Sequence, residues 1–462
     1  MPQQIRHSPL LLQHQRQNAG VLLWTCFQCW PQPRPHSYQR AYFARPAGWC
    51  EQSVTWLHAT TRFFCSVYAS TTGSGVDAGC FIHQPIMNEI AIIGGGIGGL
   101  TLAICLKKSG YSCHIYEKND EFREVGAAIS VFPNALTVYQ ELGILDDILR
   151  VAGEVKDVFL KTQSGKILSQ SSPRYDLPTV CMHRPDLHAI LLRHTDAQLH
   201  SGHALQTFST LPNGQVEIQF TNGVRKTVDA LVGADGLNSV VRDRVINDGK
   251  PVFRGYSIWR GVCRLDLADG YGSETYGNGQ RVGIVPIKEG VFGWWATLNE
   301  PFMQTDEPEG TKQKLLAHFG DWHYPIPALI EHTEHFIKNS LSDRVPVRGW
   351  SQGNVVLLGD AAHPTTPNLG QGGCMAIEGA YILARCIQKY GLNQEAFTRY
   401  EMLHFPRAKA VVDASLAIGR IGQSKNRLVR SARNTLFSLL PPRLTLRMMD
   451  TYFSYDVRKL AI

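Results

Sequence analysis

No run of 18 consecutive apolar residues occurs in this chain, so a membrane-spanning helix is not expected. No block of five or six consecutive lysines or arginines occurs either. Zinc-finger spacing is missing: Cys26 and Cys29 form a lone CxxC with no second pair. Neither a nucleic-acid partner nor a metal is therefore expected. Cys105, Cys113, Cys181, Cys263, Cys374 and Cys386 are scattered through apolar or mixed stretches. That pattern fits reduced, partly buried thiols of a cytosolic type rather than a disulfide scaffold.

The first 86 residues have a scarcity of their own. They hold no lysine and two acids, Glu51 and Asp77, against six arginines and four of the nine tryptophans. Short apolar clusters are broken by WPQPRPHS and ASTTGSG, and no helical or strand period persists. Residues 1–86 read as an atypical, poorly ordered extension. An excess of arginine over acid suits an organelle-targeting segment. The preferred reading is an upstream mis-start, with the working chain beginning at Met87 and residing in the cytoplasm.

What is present is ample. The chain has 462 residues, 44% hydrophobic and 18% charged, enough for two domains. Its net charge of +7 suits basic tails or anionic ligands.

From Met87 the pattern becomes regular. EIAIIG reads as a strand, GLTLAICLKKSG as a helix ending at Gly110, and SCHIYEKN as a second strand. Between the first strand and the helix, Gly94, Gly96 and Gly99 fit GxGxxG. The first glycine permits the tight turn, the second the approach of a pyrophosphate, and the third close helix–strand packing. The helix N-terminus faces the phosphates. Glu117 ends the second strand, where a carboxylate can accept both ribose hydroxyls. Together these predict a dinucleotide.

Further along, AISVFPNALTVYQELGILDDILR reads as an extended piece, a turn at Pro133 and Asn134, then a helix. Residues 184–200 read as another helix, and Asn213-Gly214 and Asn222-Gly223 as hairpin turns. DALVGADGLNSVVR carries a strand into Asp235-Gly236, and NVVLLGDAAHPTTPNLGQGGC carries one into Gly359-Asp360. On these three fingerprints the chain resembles the single-component FAD-dependent aromatic hydroxylases, with motifs nearest to salicylate and urate hydroxylases and zeaxanthin epoxidases.

The resemblance implies FAD as cofactor and NADH or NADPH as a transient electron donor. It implies that Asp235-Gly236 serves both nucleotides, that Asp360 holds the ribityl hydroxyls, and that Arg123 and Arg184 lie near the FAD. Pro367 stiffens the following loop. Gly370, Gly372 and Gly373 let backbone approach the flavin, and the helix dipole there would stabilise its reduced, anionic ring. His363 is read as a loop histidine. Gly379 stands where the family usually has Asp after Glu378.

The implied reaction is transfer of one atom of O2 through a C4a-hydroperoxyflavin to a small aromatic or heteroaromatic substrate. Tyr256, Arg260, Pro286 and Trp294 are the candidate substrate contacts. Trp294 and Trp295 are adjacent, so at most one is expected to face the pocket. No catalytic acid or base is legible. The alternatives are epoxidation of a carotenoid or related polyene, and a flavin-binding reductase or non-catalytic flavoprotein. NTLFSLLPPRLTLRMM mixes basic and apolar residues in a way that suits peripheral membrane contact; a helix capping the sheet or a dimer contact is the simpler reading. A monomer and a homodimer both fit.

The expected fold is α/β: a Rossmann-type parallel sheet interleaved with a mainly β substrate domain and a C-terminal helical segment. The expected divisions are 87–250 for the FAD-binding domain with inserted strands, 251–345 for the substrate domain, 346–420 for the completion of the first domain, and 421–462 for the terminal helices.

Overall fold

The segment Glu89–Ile93, buried at all but its first residue, is the central strand of a six-stranded sheet. A computed structural model describes residues 52–58, 61–72, 75–83, 89–122, 126–303, 306 and 308–462, without side chains for the first three segments or for 308 and 309. The sheet runs in the order Gln198–His200, Ser112–Tyr116, Glu89–Ile93, Ala230–Gly233, Val355–Leu357, Ser351–Gln352. All neighbours are parallel except the last edge pair. Its inner strands are buried on both faces, which explains their apolar runs Ile90–Ile93, Ala230–Gly233 and Val355–Leu357. Helices Ile97–Lys108 and Gly372–Tyr390 pack together beside it, and Gly98 lets Ala376 come close.

The second sheet has seven strands, in the order Ile337–Asp343, Val252–Arg264, Val291–Leu298, Gln280–Lys288, Tyr271–Tyr276, Asp157–Thr162, Ile167–Ser171. Its last two strands come from before residue 250. They join because Asp157–Thr162 pairs parallel with Tyr271–Tyr276, a long-range match without a local signature. Trp259, Phe292, Trp294, Phe319 and Ile330 fill an apolar layer between this sheet and the helices at 308–331.

Local signals are mostly honoured. Gly214 and Gly223 take positive φ at the tips of an antiparallel meander of Leu205–Thr210, Val216–Phe220 and Arg225–Val228. Two expectations are corrected. Pro133 and Asn134 do not precede a helix as a turn but open the helix Pro133–Leu142, where proline's fixed φ suits the first turn. The helix from Arg184 ends at His194, and Gln198–His200 leaves it to become the sheet's edge strand.

The segments described before Met87 form a separate unit. Of the extension expected to be poorly ordered over residues 1–86, residues 1–51, 59–60, 73–74 and 84–86 lie outside the described residues. Within 52–83, where no period persists, Gln52–His58, Thr61–Thr72 and Gly75–His83 pair as an antiparallel meander. Their β-branched and aromatic content, with Gly73-Ser74 between the last two, favours strands without alternation.

Candidate functional site

A cavity of about 1380 Å³ runs between the two sheets. Its cofactor-like end is built at the carboxyl ends of the parallel strands, the usual ligand crevice of such folds. Gly94, with φ of 111°, turns the chain so tightly that any side chain would strike the Ala234 carbonyl. A side chain on Gly99 would strike the Gly94 carbonyl. Gly94 and Gly96 line the cavity, whereas Gly99 lies behind them as a packing residue. Gly96 caps the helix from Ile97 without a side-chain hydrogen bond, and no acid occupies its first turn. That leaves the end electropositive and suited to a pyrophosphate.

Glu117 lines the same end and accepts hydrogen bonds from the Gly95 N–H (2.9 Å) and the Asn119 N–H (3.1 Å). These hold its carboxylate at the turn where a ribose would sit. Arg184 lines the cavity beneath Gly126, whose bare Cα makes room for it. Arg123 lies outside the described residues.

Asp235 and Gly236 line the wall opposite. Asp235 accepts from Ser239 Oγ (2.5 Å) and the Val240 N–H (2.8 Å), so it braces the start of the helix Val240–Val245, whose N-cap is Ser239. Burial pushes its carboxyl above the usual range. Gly236 has φ of 79°.

Asp360 is exposed within the cavity, at the end of the buried Val355–Leu357 strand. The loop that presents it is fastened from below by a residue the sequence reading passed over. Arg242 is fully buried and donates from Nη1 to the carbonyls of Ala361 and Ala362, both at 2.8 Å. Its other face forms an ion pair with Asp248 at 2.7 Å. Pro367, Gly370, Gly372 and Gly373 follow along the same wall. The helix from Gly372 begins there with neither a side-chain cap nor an acid in its first turn.

That helix is anchored by a buried network. Arg407 pairs with Glu378 at 3.0 Å, and Asn134 donates to Glu378 (2.5 Å) and Gln371 (2.8 Å). The unusual Gly379 has a local cause: the His404 ring packs 3.1 Å from where its Cβ would be. An aspartate would displace that ring.

The far end of the cavity is a floor of cross-strand rows. Ile337, Arg260, Trp295, Gly283, Glu274 and Leu160 stand directly opposite one another across six strands. All but Gly283 line the cavity. Residues in such a row share one face. The neighbouring row places Ile258, Thr297, Arg281 and Tyr276 beside it. Arg260 donates to Asn339 at 2.7 Å, and burial together with nearby Arg184 brings its guanidinium down to about 10. Arg281 sits 5.4 Å from the Trp295 ring centre and donates to Glu274, Asn368 and Gln423.

The FAD binding domain family matches residues 87–415. The chain belongs to this family of FAD-dependent aromatic monooxygenases. It is 38% identical to an aurachin C monooxygenase/isomerase of Stigmatella aurantiaca over 76% of this chain and 94% of that protein. It is 30% identical to a 6-hydroxynicotinate 3-monooxygenase of Pseudomonas fluorescens, over 70% and 89%. Among solved structures, Klebsiella pneumoniae HpxO complexed with FAD and uric acid superposes with a TM-score of 0.72 at 26% identity, covering 80% of this chain and 97% of that one.

In this monooxygenase the predicted substrate contacts divide. Arg260 lines the cavity. Tyr256 does not, but its hydroxyl exchanges hydrogen bonds with Asn368, which does. Pro286 is placed elsewhere, in a separate surface pocket with Arg264 and Lys288, because the strand carries it beyond the cavity's edge. Trp294 and Trp295 both border the cavity. The Trp294 indole is nevertheless committed to the apolar layer, donating to Thr333 at 2.8 Å, so Trp295 is the ring in the floor. Strand alternation set that division, and only the register could say which tryptophan faced which way. The C-terminal helices also contribute Phe437, Thr445, Leu446, Met449 and Phe453 to the cavity wall.

Proposed function

We propose that this enzyme uses NADH or NADPH and O2 to hydroxylate an electron-rich aromatic or heteroaromatic ring. One observation carries the reading: a single cavity joins the dinucleotide turn at Gly94 to the Arg260–Trp295 row. FAD fits the first part. Two uncapped helix N-termini, glycine turns with no space for side chains, and the exposed Asp360 supply what its phosphates, flavin edge and ribityl chain require. When bound there, FAD would supply two-electron chemistry with the nicotinamide and activation of O2, one atom of which would enter the ring and the other leave as water.

The protein's own residues would do the rest. Glu117 and Asp360 fix the two ends of the cofactor. Gly372 and Gly373 present backbone N–H groups to it. The Trp295 ring gives a flat substrate a face to stack on, and the Arg260 guanidinium, charged at neutral pH, orients an acidic or phenolate group. Ile258, Ile337 and Phe437 exclude water from the reacting face. The named activities of the relatives favour hydroxylation over polyene epoxidation or a non-catalytic role.

The test is a panel of phenolic acids, purines and polyenes added to the FAD-loaded protein. Stimulated NAD(P)H oxidation by a ring compound, with ¹⁸O from O2 in its product, is expected. Product formed only from polyenes would transfer the assignment to epoxidation. Nicotinamide oxidation without any oxygenated product would leave a reductase.

A further inference from the structure

We propose that the outer face of the two C-terminal helices, Arg427–Leu439 and Pro442–Phe453, seats on an anionic lipid surface. Three observations converge there. First, six of the fifteen large apolar side chains exposed among the described residues fall between Leu428 and Met448. Leu428, Leu436 and Leu439 are 79%, 53% and 75% exposed, and with Ala432 they follow helical spacing along one stripe. Leu444 and Met448 repeat the pattern one turn apart on the second helix. Secondly, this face is not core left uncovered: the opposite face is occupied, with Phe437, Leu446 and Met449 lining the cavity.

Thirdly, charge selects the occupant. From Ala414 to Met449 the chain holds seven lysines or arginines and no aspartate or glutamate. Arg443 and Arg447 run beside Leu444 and Met448 at the same spacing. The one acid of these two helices, Asp450, is half-buried beside Tyr175. Apolar stripes edged by arginines suit a surface that offers acyl chains under anionic headgroups. A second copy fits poorly, because a two-fold contact sets a surface against itself and would oppose arginine to arginine. No described helix is long and apolar enough to cross a membrane, so the contact is peripheral.

The experiment is co-sedimentation of the full FAD-loaded chain with phosphatidylcholine vesicles, alone or containing phosphatidylglycerol, in low and high salt. Binding is expected with the anionic vesicles and is lost at high salt. Arg443→Gln/Arg447→Gln should weaken it by tenfold or more. Leu428→Ser/Leu436→Ser/Leu439→Ser should weaken it several-fold, with FAD content and unfolding midpoint unchanged, because these side chains are exposed. No sedimentation with anionic vesicles at low salt would overturn the proposal. So would binding that both variants leave intact, or a dimer in solution that the leucine variant alone separates.

Discussion

Trp295 occupies the space that a side chain on Gly283 would need. The two residues are direct cross-strand partners, and a methyl group on Gly283 would fall within the indole ring. The floor of the cavity is therefore flat because one strand has no side chain at the point where its neighbour has the largest. Gly283→Ala should force Trp295 out of its position and cost about 1–3 kcal/mol of stability. FAD content should stay near wild type, since the substitution is remote from Gly94 and Asp360. Substrate-stimulated NAD(P)H oxidation should fall at least about tenfold, as expected for a small misplacement near the reacting ring. Urea unfolding and steady-state kinetics check the two parts.

Arg242 is the second point of leverage. Arg242→Met would leave Asp248 partly buried without one of its guanidinium partners, and two carbonyls without donors. A loss of about 3–5 kcal/mol is expected. Because those carbonyls belong to Ala361 and Ala362, FAD should be released at a lower urea concentration than in the wild type. Flavin fluorescence followed alongside circular dichroism measures this.

Asp360→Ala should weaken cofactor binding. Losing hydrogen bonds to a charged acceptor costs about 1.5–3 kcal/mol, roughly tenfold to a hundredfold in Kd for FAD. Titration of FAD-free protein by flavin fluorescence quenching checks it.

The pH dependence of stability should carry the mark of two histidines. His363 and His404 are buried, 5.0 Å apart between ring centres, and burial holds His363 down to about 4 and His404 well below its ordinary value. Between about 4 and 6.5 the unfolded chain binds protons that the folded chain refuses. Stability therefore falls as pH drops through that window and levels off above it. His404→Phe should flatten the slope by up to about 1.4 kcal/mol per pH unit. Urea midpoints at pH 5 and pH 7.5 give the comparison.

The cofactor end was legible because its requirements are local. A turn as tight as Gly94, or a strand end such as Gly359-Asp360, needs particular residues within a few positions, and the sequence displays them together. Arg242 stood within one of the quoted motifs, yet its role concerns carbonyls 119 residues away, and nothing nearby announces that. The substrate floor was less legible still. Its rows depend on the register of six strands, and an error of one residue exchanges Trp294 for Trp295. Pro286 lies in a separate pocket for a different reason, its position along the strand beyond the cavity's edge. Two strands of that sheet come from 157–171, a parallel pairing across more than a hundred residues that no short pattern encodes.

The cavity wall draws on residues from Ile93 to Phe453. During synthesis the glycine turn leaves the ribosome several hundred residues before the helices that close the pocket. The enclosure is a contact of very long sequence separation, and such contacts form last. A nascent chain can present the phosphate cradle early, but it cannot shut the chamber around a cofactor until the C-terminal helices have emerged. Capture of the flavin and completion of the protein are thereby coupled, and a chain halted before Phe437 would hold a cradle open to water.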